Sequence, residues 1–144
     1  RICLVGSEMC IRDSQSTVID GLAEMSIGDW EGKKFTELYG QYKLLERCNG
    51  DLAWRPPNGE SLDDVAQRMA SSLQHIVATH NAGDTVLVVS HGAAMAIALA
   101  TLLDNDPGKW GNYHFRNCSL TELSFANKPS LGRFNDCSHL GLFG

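Results

Sequence analysis

The chain contains no run of eighteen apolar residues, no cluster of basic residues and no pair of cysteines in C-x-x-C spacing. The first absence leaves no candidate for a membrane-spanning helix. The second, with a formal net charge of −5, argues against nucleic acid and anionic membranes as partners. A small anionic substrate stays open, because a local pocket can be positive on an acidic protein. The third bears on Cys3, Cys10, Cys48, Cys118 and Cys137, whose spacing indicates neither a disulfide framework nor a zinc site. Reduced thiols in a cytoplasmic protein are the default expectation, and nothing in the spacing asks for a metal or cofactor. Internal repeats and low-complexity tracts are also missing. What remains is 144 residues with 43% hydrophobic content, enough for one domain with a buried core.

The opening residues have no clear period and no turn chemistry. Glu8-Met9-Cys10-Ile11-Arg12-Asp13-Ser14 resembles the in-frame translation of a transposon-end adapter used in sequencing libraries, over seven consecutive residues. Residues 1–14 are therefore expected to be a non-native leader, with a natural irregular leader as the alternative. Residues 15–144 are then part of a domain whose first portion is encoded upstream.

Further along, Phe35, Leu38, Tyr42 and Leu45 recur at steps of three and four and predict a helix over Lys33–Arg47. Asn49-Gly50 and Pro56-Pro57-Asn58-Gly59 mark a loop over Cys48–Gly59. Ser61 with Asp64 fits a capping pattern, and Leu62, Val65, Ala66, Met69, Leu73, Ile76 and Val77 form one helical face. Thr85 to Val89 reads as a buried parallel strand. Ala93 to Leu103 reads as a helix of good formers, closed by Asp104-Asn105-Asp106-Pro107. Thr121, Leu123 and Phe125 alternate as a strand and can pair with Leu131 to Phe134 across Asn127-Lys128-Pro129. Strand–helix alternation implies an α/β domain with a parallel core, whose ligands gather beyond the carboxyl ends of strands.

Ser90-His91-Gly92 lies at such an end, on a strand-to-helix turn. Free N–H groups at a helix start attract anions, and Gly92 removes the side chain that would keep a phosphate from the backbone. His91 there can hold or transfer a phosphoryl group; the plainer alternative is a turn histidine. Two further constellations are Leu22-Ala23-Glu24-Met25-Ser26-Ile27-Gly28-Asp29-Trp30-Glu31-Gly32 and Pro57-Asn58-Gly59-Glu60-Ser61. With Ser90-His91-Gly92, and with the closing segments Asn117–Leu123 and Phe134–Leu140, they resemble the histidine phosphatase (phosphoglycerate-mutase-like) superfamily from about Leu22 to Leu140.

That resemblance implies a three-layer α/β/α sandwich with a mainly parallel central sheet, here missing its N-terminal portion. It implies hydrolysis of phosphate monoesters of small metabolites through a phosphohistidine, without metal. The family's nucleophile sits in an Arg-His-Gly motif, which this sequence lacks, so the fragment itself is expected to be inactive. His91 matches the second family histidine, which donates charge-assisted hydrogen bonds to the transferring oxygens, and the Gly92 N–H adds to that cradle. Glu24 matches the family's general acid: an alkoxide leaving group needs a proton as the P–O bond breaks, and the same carboxylate can then activate water. Glu24 and His91 are expected to face one pocket. Taken alone, Glu24 reads as an ordinary exposed carboxylate; the three motifs together reverse that reading. Glu31, a rival for the acid, is read as a brace for the turn after Trp30, and Glu60 as serving a positive helix end, with a site role through hydrogen bonding as the alternative. Trp30, Trp54 and Trp110 are read as packing or rim residues, Arg55 and Arg116 as solvated surface, and His75, His80, His114 and His139 as isolated. Met25–Gly32 looks more like the phosphatase branch than a phosphoglycerate mutase, which stays as an alternative. A non-catalytic phosphate-binding module is the alternative from another class.

Overall fold

The computed structural model describes residues 16–141. The readings made for residues 1–14 lie outside the described residues. The main elements are helix α1 (Leu44–Gly50), helix α2 (Leu62–Ala78), helix α3 (Gly92–Asp104) and strands β1 (Leu123–Ser124) and β2 (Ser130–Leu131).

Helix α2 begins as the capping pattern requires. The Ser61 hydroxyl accepts the Asp64 N–H at 3.1 Å, and the Asp64 carboxylate accepts the Ser61 N–H at 2.8 Å. Two orphan donors of the first turn are thereby satisfied. The Ser61 N–H and then the Ser61 hydroxyl, which donates to the same carboxylate oxygen at 2.7 Å, hold the Asp64 carboxyl below the usual aspartate range. Leu62, Val65, Ala66 and Met69 are buried, but the last turn emerges and Val77 is exposed. The expected apolar face is thus covered over its first turns only.

Helix α3 is alanine-rich and buries Ala94 and the run Ala96 to Ala100. Alanine favours the helix and lets neighbouring backbones come close. The helix stops at Asn105, which adopts a left-handed conformation (φ 54°). The Asp106 carboxylate then accepts the Gly108 N–H at 2.9 Å and opens a 3-10 turn, Pro107–Asn112, that packs back on α3.

The single helix expected over Lys33–Arg47 is two pieces. A helical turn at Phe35 widens into a π-helical turn, Glu37–Gln41, and Lys43 takes a left-handed conformation (φ 50°) before α1 begins. Gly40 weakens the helix at this point, and the break turns the chain so that α1 starts in a new direction. Leu38 and Leu44 enter the core, whereas Phe35 and Leu45 stay exposed.

Thr85–Val89 differs most from expectation. It makes no strand pairing among the described residues, and Val86, Leu87 and Val89 are 41%, 79% and 46% exposed. A parallel strand is buried only when strands flank it and helices cover both faces. The only sheet among the described residues is the antiparallel β1–β2 hairpin, in register Leu123↔Leu131. That pairing is the one the alternation predicted. It continues through Glu122 and Arg133 to a bridge between Leu120 and Asp136, passing left-handed Asn135.

The loops before α1 and before α2 meet at two glycines. A Cβ on Gly28 (φ +57°) would lie 2.1 Å from the Pro57 carbonyl oxygen, and one on Gly59 would lie 2.9 Å from the Ser26 carbonyl oxygen. Only glycine permits this approach, and the Asp29 N–H to Pro57 carbonyl bond at 3.0 Å depends on it. Gly28→Ala is expected to destabilise the protein by about 2 kcal/mol or more, from overpacking and the left-handed backbone together. Gly40→Ala, with open space around it, is expected to cost nothing. Urea denaturation of the two variants checks this; equal stabilities would show that the contact does not constrain the fold.

Candidate active site

Three segments from the sequence motifs come together, and Arg68 of α2 organises them. Its guanidinium has five N–H donors, and each has a partner. Nε donates to Glu60 Oε1 at 2.7 Å and Nη2 to Glu60 Oε2 at 2.9 Å. Nη1 donates to the carbonyls of Gly21 (2.9 Å) and Ala23 (2.7 Å), and Nη2 also to that of Glu24 (3.1 Å). Glu60 in turn accepts the Ser26 N–H at 2.9 Å, and its own N–H donates to the Ser26 carbonyl. The loop that carries Glu24 is therefore tied down on both sides of that residue. Gly21 fits because it has no Cβ: one there would lie 2.1 Å from the Ser72 hydroxyl.

Burial pushes the Glu60 carboxyl up, but the Arg68 hydrogen bonds, the Ser26 N–H and the Arg68 charge outweigh it, and the group lies below the usual glutamate value of 4.5. The expectation that Glu60 serves a helix end is corrected. Ser61 and Asp64 already cap α2, which leaves Glu60 free to pair with Arg68.

Glu24 reaches across to the His91 segment. Its carboxylate accepts the N–H of Ala93 at 3.2 Å and of Ala94 at 2.8 Å, in the first turn of α3, and also its neighbour's N–H at Met25. A carboxylate at that position is favoured by the positive helix end. The Ser90 hydroxyl donates to the Leu22 carbonyl at 2.7 Å and ties the same two segments a second time, just before the helix. His91 is the N-cap residue, in extended backbone, exposed and without a side-chain cap bond. Because the Met95 N–H bonds to the His91 carbonyl and Glu24 takes the two before it, the Gly92 N–H is the first-turn donor left without a partner among the described residues. The helix start is thus not a wholly open anion nest. Glu24 occupies two of its donors and leaves the Gly92 N–H, next to the exposed His91, as the donor without a partner among the described residues.

A cavity of about 360 Å³ opens beside Glu24, with Ala93 and Ile97 of α3 on one wall and Phe35, Tyr39 and Trp110 on others. His91 is not among its lining residues. Glu31 is; its carboxylate accepts the Ile27 N–H at 2.9 Å across the turn that contains Trp30. Trp30 is buried between Tyr42 and Trp54, with ring centroids at 4.7 and 5.7 Å. Arg55 pairs with Asp64 at 3.2 Å, and Arg116 offers its backbone N–H to Asn135. Among the described residues no three His, Cys, Asp or Glu side chains are grouped to hold a metal, and no helix is long and apolar enough to cross a membrane. Arg68 escaped the sequence reading. Its one signal was its place three residues after Val65 and one turn before Ser72, at the rim of the apolar stripe of α2.

The model of the histidine phosphatase superfamily, branch 1, matches residues 10–136. The chain belongs to that superfamily. It is similar to a bifunctional protein of Mycobacterium tuberculosis, 36% identical over 109 residues, or 75% of this chain and 30% of that protein. It is also similar to the Yersinia enterocolitica protein named "Probable phosphoglycerate mutase GpmB", 31% identical over 112 residues, 76% of this chain and 52% of that one. The histidine phosphatase segment here thus spans about half the length of such curated relatives, or less. Among solved structures, mycobacterial glucosyl-3-phosphoglycerate phosphatase in complex with VO3 superposes with a TM-score of 0.73 at 27% identity, over 85% of this chain and 64% of that one. The fold is of the α/β class shared by these histidine phosphatases.

The Arg68–Glu60 pair generates a two-part prediction. Replacing Arg68 by Met strips five hydrogen bonds and leaves Glu60 without its cation. Breaking a buried pair costs about 3–5 kcal/mol; with both side chains roughly a quarter exposed, about 2 kcal/mol is expected. Because the folded-state value of Glu60 is depressed, its contribution is present above its ordinary value and lost as the pH falls through the lowered one. Stability of the parent protein should therefore decline below about pH 4.5, and this decline should be shallower in Arg68→Met. Urea denaturation between pH 3 and 7 reads both; a variant as stable as the parent, or an unchanged acid limb, would contradict the clamp.

Proposed function

We propose that the full protein hydrolyses phosphate monoesters of small metabolites through a phosphohistidine intermediate, by a route that needs no metal, in the cytoplasm. The reading rests on one observation above others: the Glu24 carboxylate is seated on the first turn of the helix that His91 begins. Two motifs nearly seventy residues apart are joined there through directed bonds.

In this reading a histidine of an Arg-His-Gly segment, outside the 144 residues, attacks phosphorus. The bond from phosphorus to the alcohol oxygen breaks as Glu24 gives that oxygen its proton. His91 and the Gly92 N–H stabilise the charge on the transferring oxygens. In the second step the Glu24 carboxylate takes a proton from water, the hydroxide attacks phosphorus, and the P–N bond breaks to return the histidine and release phosphate. The same reading extends to the fold. Thr85–Val89, exposed among the described residues, becomes a central parallel strand of a three-layer sandwich once further chain lies beside it. Val86 and Leu87 then lose their contact with water.

A second reading, a phosphoglycerate mutase, is favoured by the name of the Yersinia relative. The sequence after Glu24 and the similarity to a phosphatase structure favour hydrolysis.

The test is turnover of p-nitrophenyl phosphate with EDTA present, on three proteins: this chain, the chain extended to its full reading frame, and the extended chain with His91→Ala. Activity is expected in the extended chain only, with a loss on the order of 10²–10³ in the variant, as for removal of one well-placed charge stabiliser. Strong turnover by the 144-residue chain would sink the assignment of the nucleophile. An extended chain that binds phosphate without turnover would favour a binding module.

A further inference from the structure

We propose that the cavity beside Glu24 seats the leaving alcohol of the substrate, and that it selects an apolar or aromatic alcohol without a negative charge. The inference rests on Glu24 as the acid that protonates the leaving oxygen, and it adds the class of substrate.

Continuity comes first. Glu24 belongs both to the bonded network at the start of α3 and to the cavity lining, and Ala93 is shared in the same way. An alcohol oxygen within reach of Glu24, on a phosphate held at Gly92, has its substituent directed into this space. The volume of about 360 Å³ lies within the range of small-molecule sites.

The lining is the second argument. Phe35 and Tyr39 are large, water-facing side chains, 72% and 49% exposed, with their rings stacked at 5.7 Å between centroids. Leu45 beside them is also exposed. Phe35 and Leu45 belong to the apolar spacing of the expected single helix, and the π-helical turn and the left-handed Lys43 that break that helix lie between them. Among the described residues an apolar surface thus lies open next to Glu24, where an apolar leaving group would sit.

Charge is the third. The ionisable acids facing the cavity are Glu24 and Glu31, and among the described residues no lysine, arginine or histidine lines it. A substrate such as a phosphoglycerate would bring a third carboxylate beside Glu24 and Glu31, with no described cation on the lining to meet it. A neutral aromatic or aliphatic alcohol meets no such penalty.

The experiment compares kcat/KM for 1-naphthylmethyl phosphate and 3-phosphoglycerate, both esters of aliphatic alcohols, on the protein extended to its full reading frame. The naphthylmethyl ester is expected to be favoured by at least roughly tenfold, the effect of burying part of one aromatic group. Phe35→Ala with Tyr39→Ala should raise KM for the naphthylmethyl ester by about tenfold, while the inhibition constant of inorganic phosphate, which sits at His91 and Gly92, stays the same. Leu45→Arg, at an exposed helical position that tolerates arginine, should shift the preference toward 3-phosphoglycerate by a similar factor. Equal preference, preference for 3-phosphoglycerate, or a ratio insensitive to all three substitutions would overturn the proposal while leaving the phosphatase reading intact. If the protein turns over no ester, that reading fails instead, and the cavity is then judged by calorimetry with 1-naphthylmethanol. Saturable binding weakened by the double substitution supports the pocket, and absence of binding refutes it.

Discussion

Everything described around Glu24 depends on one guanidinium. Arg68 spends all five of its donors inside the molecule, two on Glu60 and three on carbonyls of the Gly21–Glu24 segment. Lysine could not do this, having three donors on a single point and no planar fork. The segment has no regular structure beyond one 3-10 turn, Asp20–Leu22, so its carbonyls would otherwise bond to water. By collecting them, Arg68 converts a loop into a fixed arm of α2, and Glu24 stands at the end of that arm.

The arm matters because of where it points. The start of α3 has a partial positive charge and several N–H groups to satisfy. Glu24 supplies the negative partner for two of them, and the Ser90 hydroxyl adds a bond to the Leu22 carbonyl just before the helix. A carboxylate so placed competes with an incoming phosphate for the same helix end. In the proposed chemistry this competition is useful. The phosphate is confined to the His91 and Gly92 side, and the carboxylate lies where an alcohol oxygen leaves. Gly28 and Gly59 act at one remove, by letting the loops that bear Ser26 and Glu60 touch without side chains between them.

Local signals were legible where they were short-range. The Ser61–Asp64 cap, the stop at Asn105 and the pairing of Leu123 with Leu131 rest on neighbours a few residues apart, and each is where the residue pattern placed it. The motifs around Glu24, Gly59 and His91 were legible as motifs, but the bond from Glu24 to Ala93 and Ala94 was not. It depends on Arg68, whose partners lie eight and more than forty residues away and carry no sequence period. The helix over Lys33–Arg47 misled because apolar spacing cannot register a left-handed Lys43, and Thr85–Val89 because burial of a strand is a property of its neighbours and not of its own valines.

The central claim is that Glu24 and His91 serve one phosphate from two sides of the α3 start. A crystal structure of the protein extended to its full reading frame, with vanadate bound, tests it most directly. The account predicts vanadate oxygens within about 3 Å of the His91 imidazole and the Gly92 N–H, with a Glu24 carboxylate oxygen at similar distance from the oxygen in the leaving position. Vanadate bound elsewhere, or held at His91 with Glu24 too far away for either a hydrogen bond or one bridging water, would contradict it.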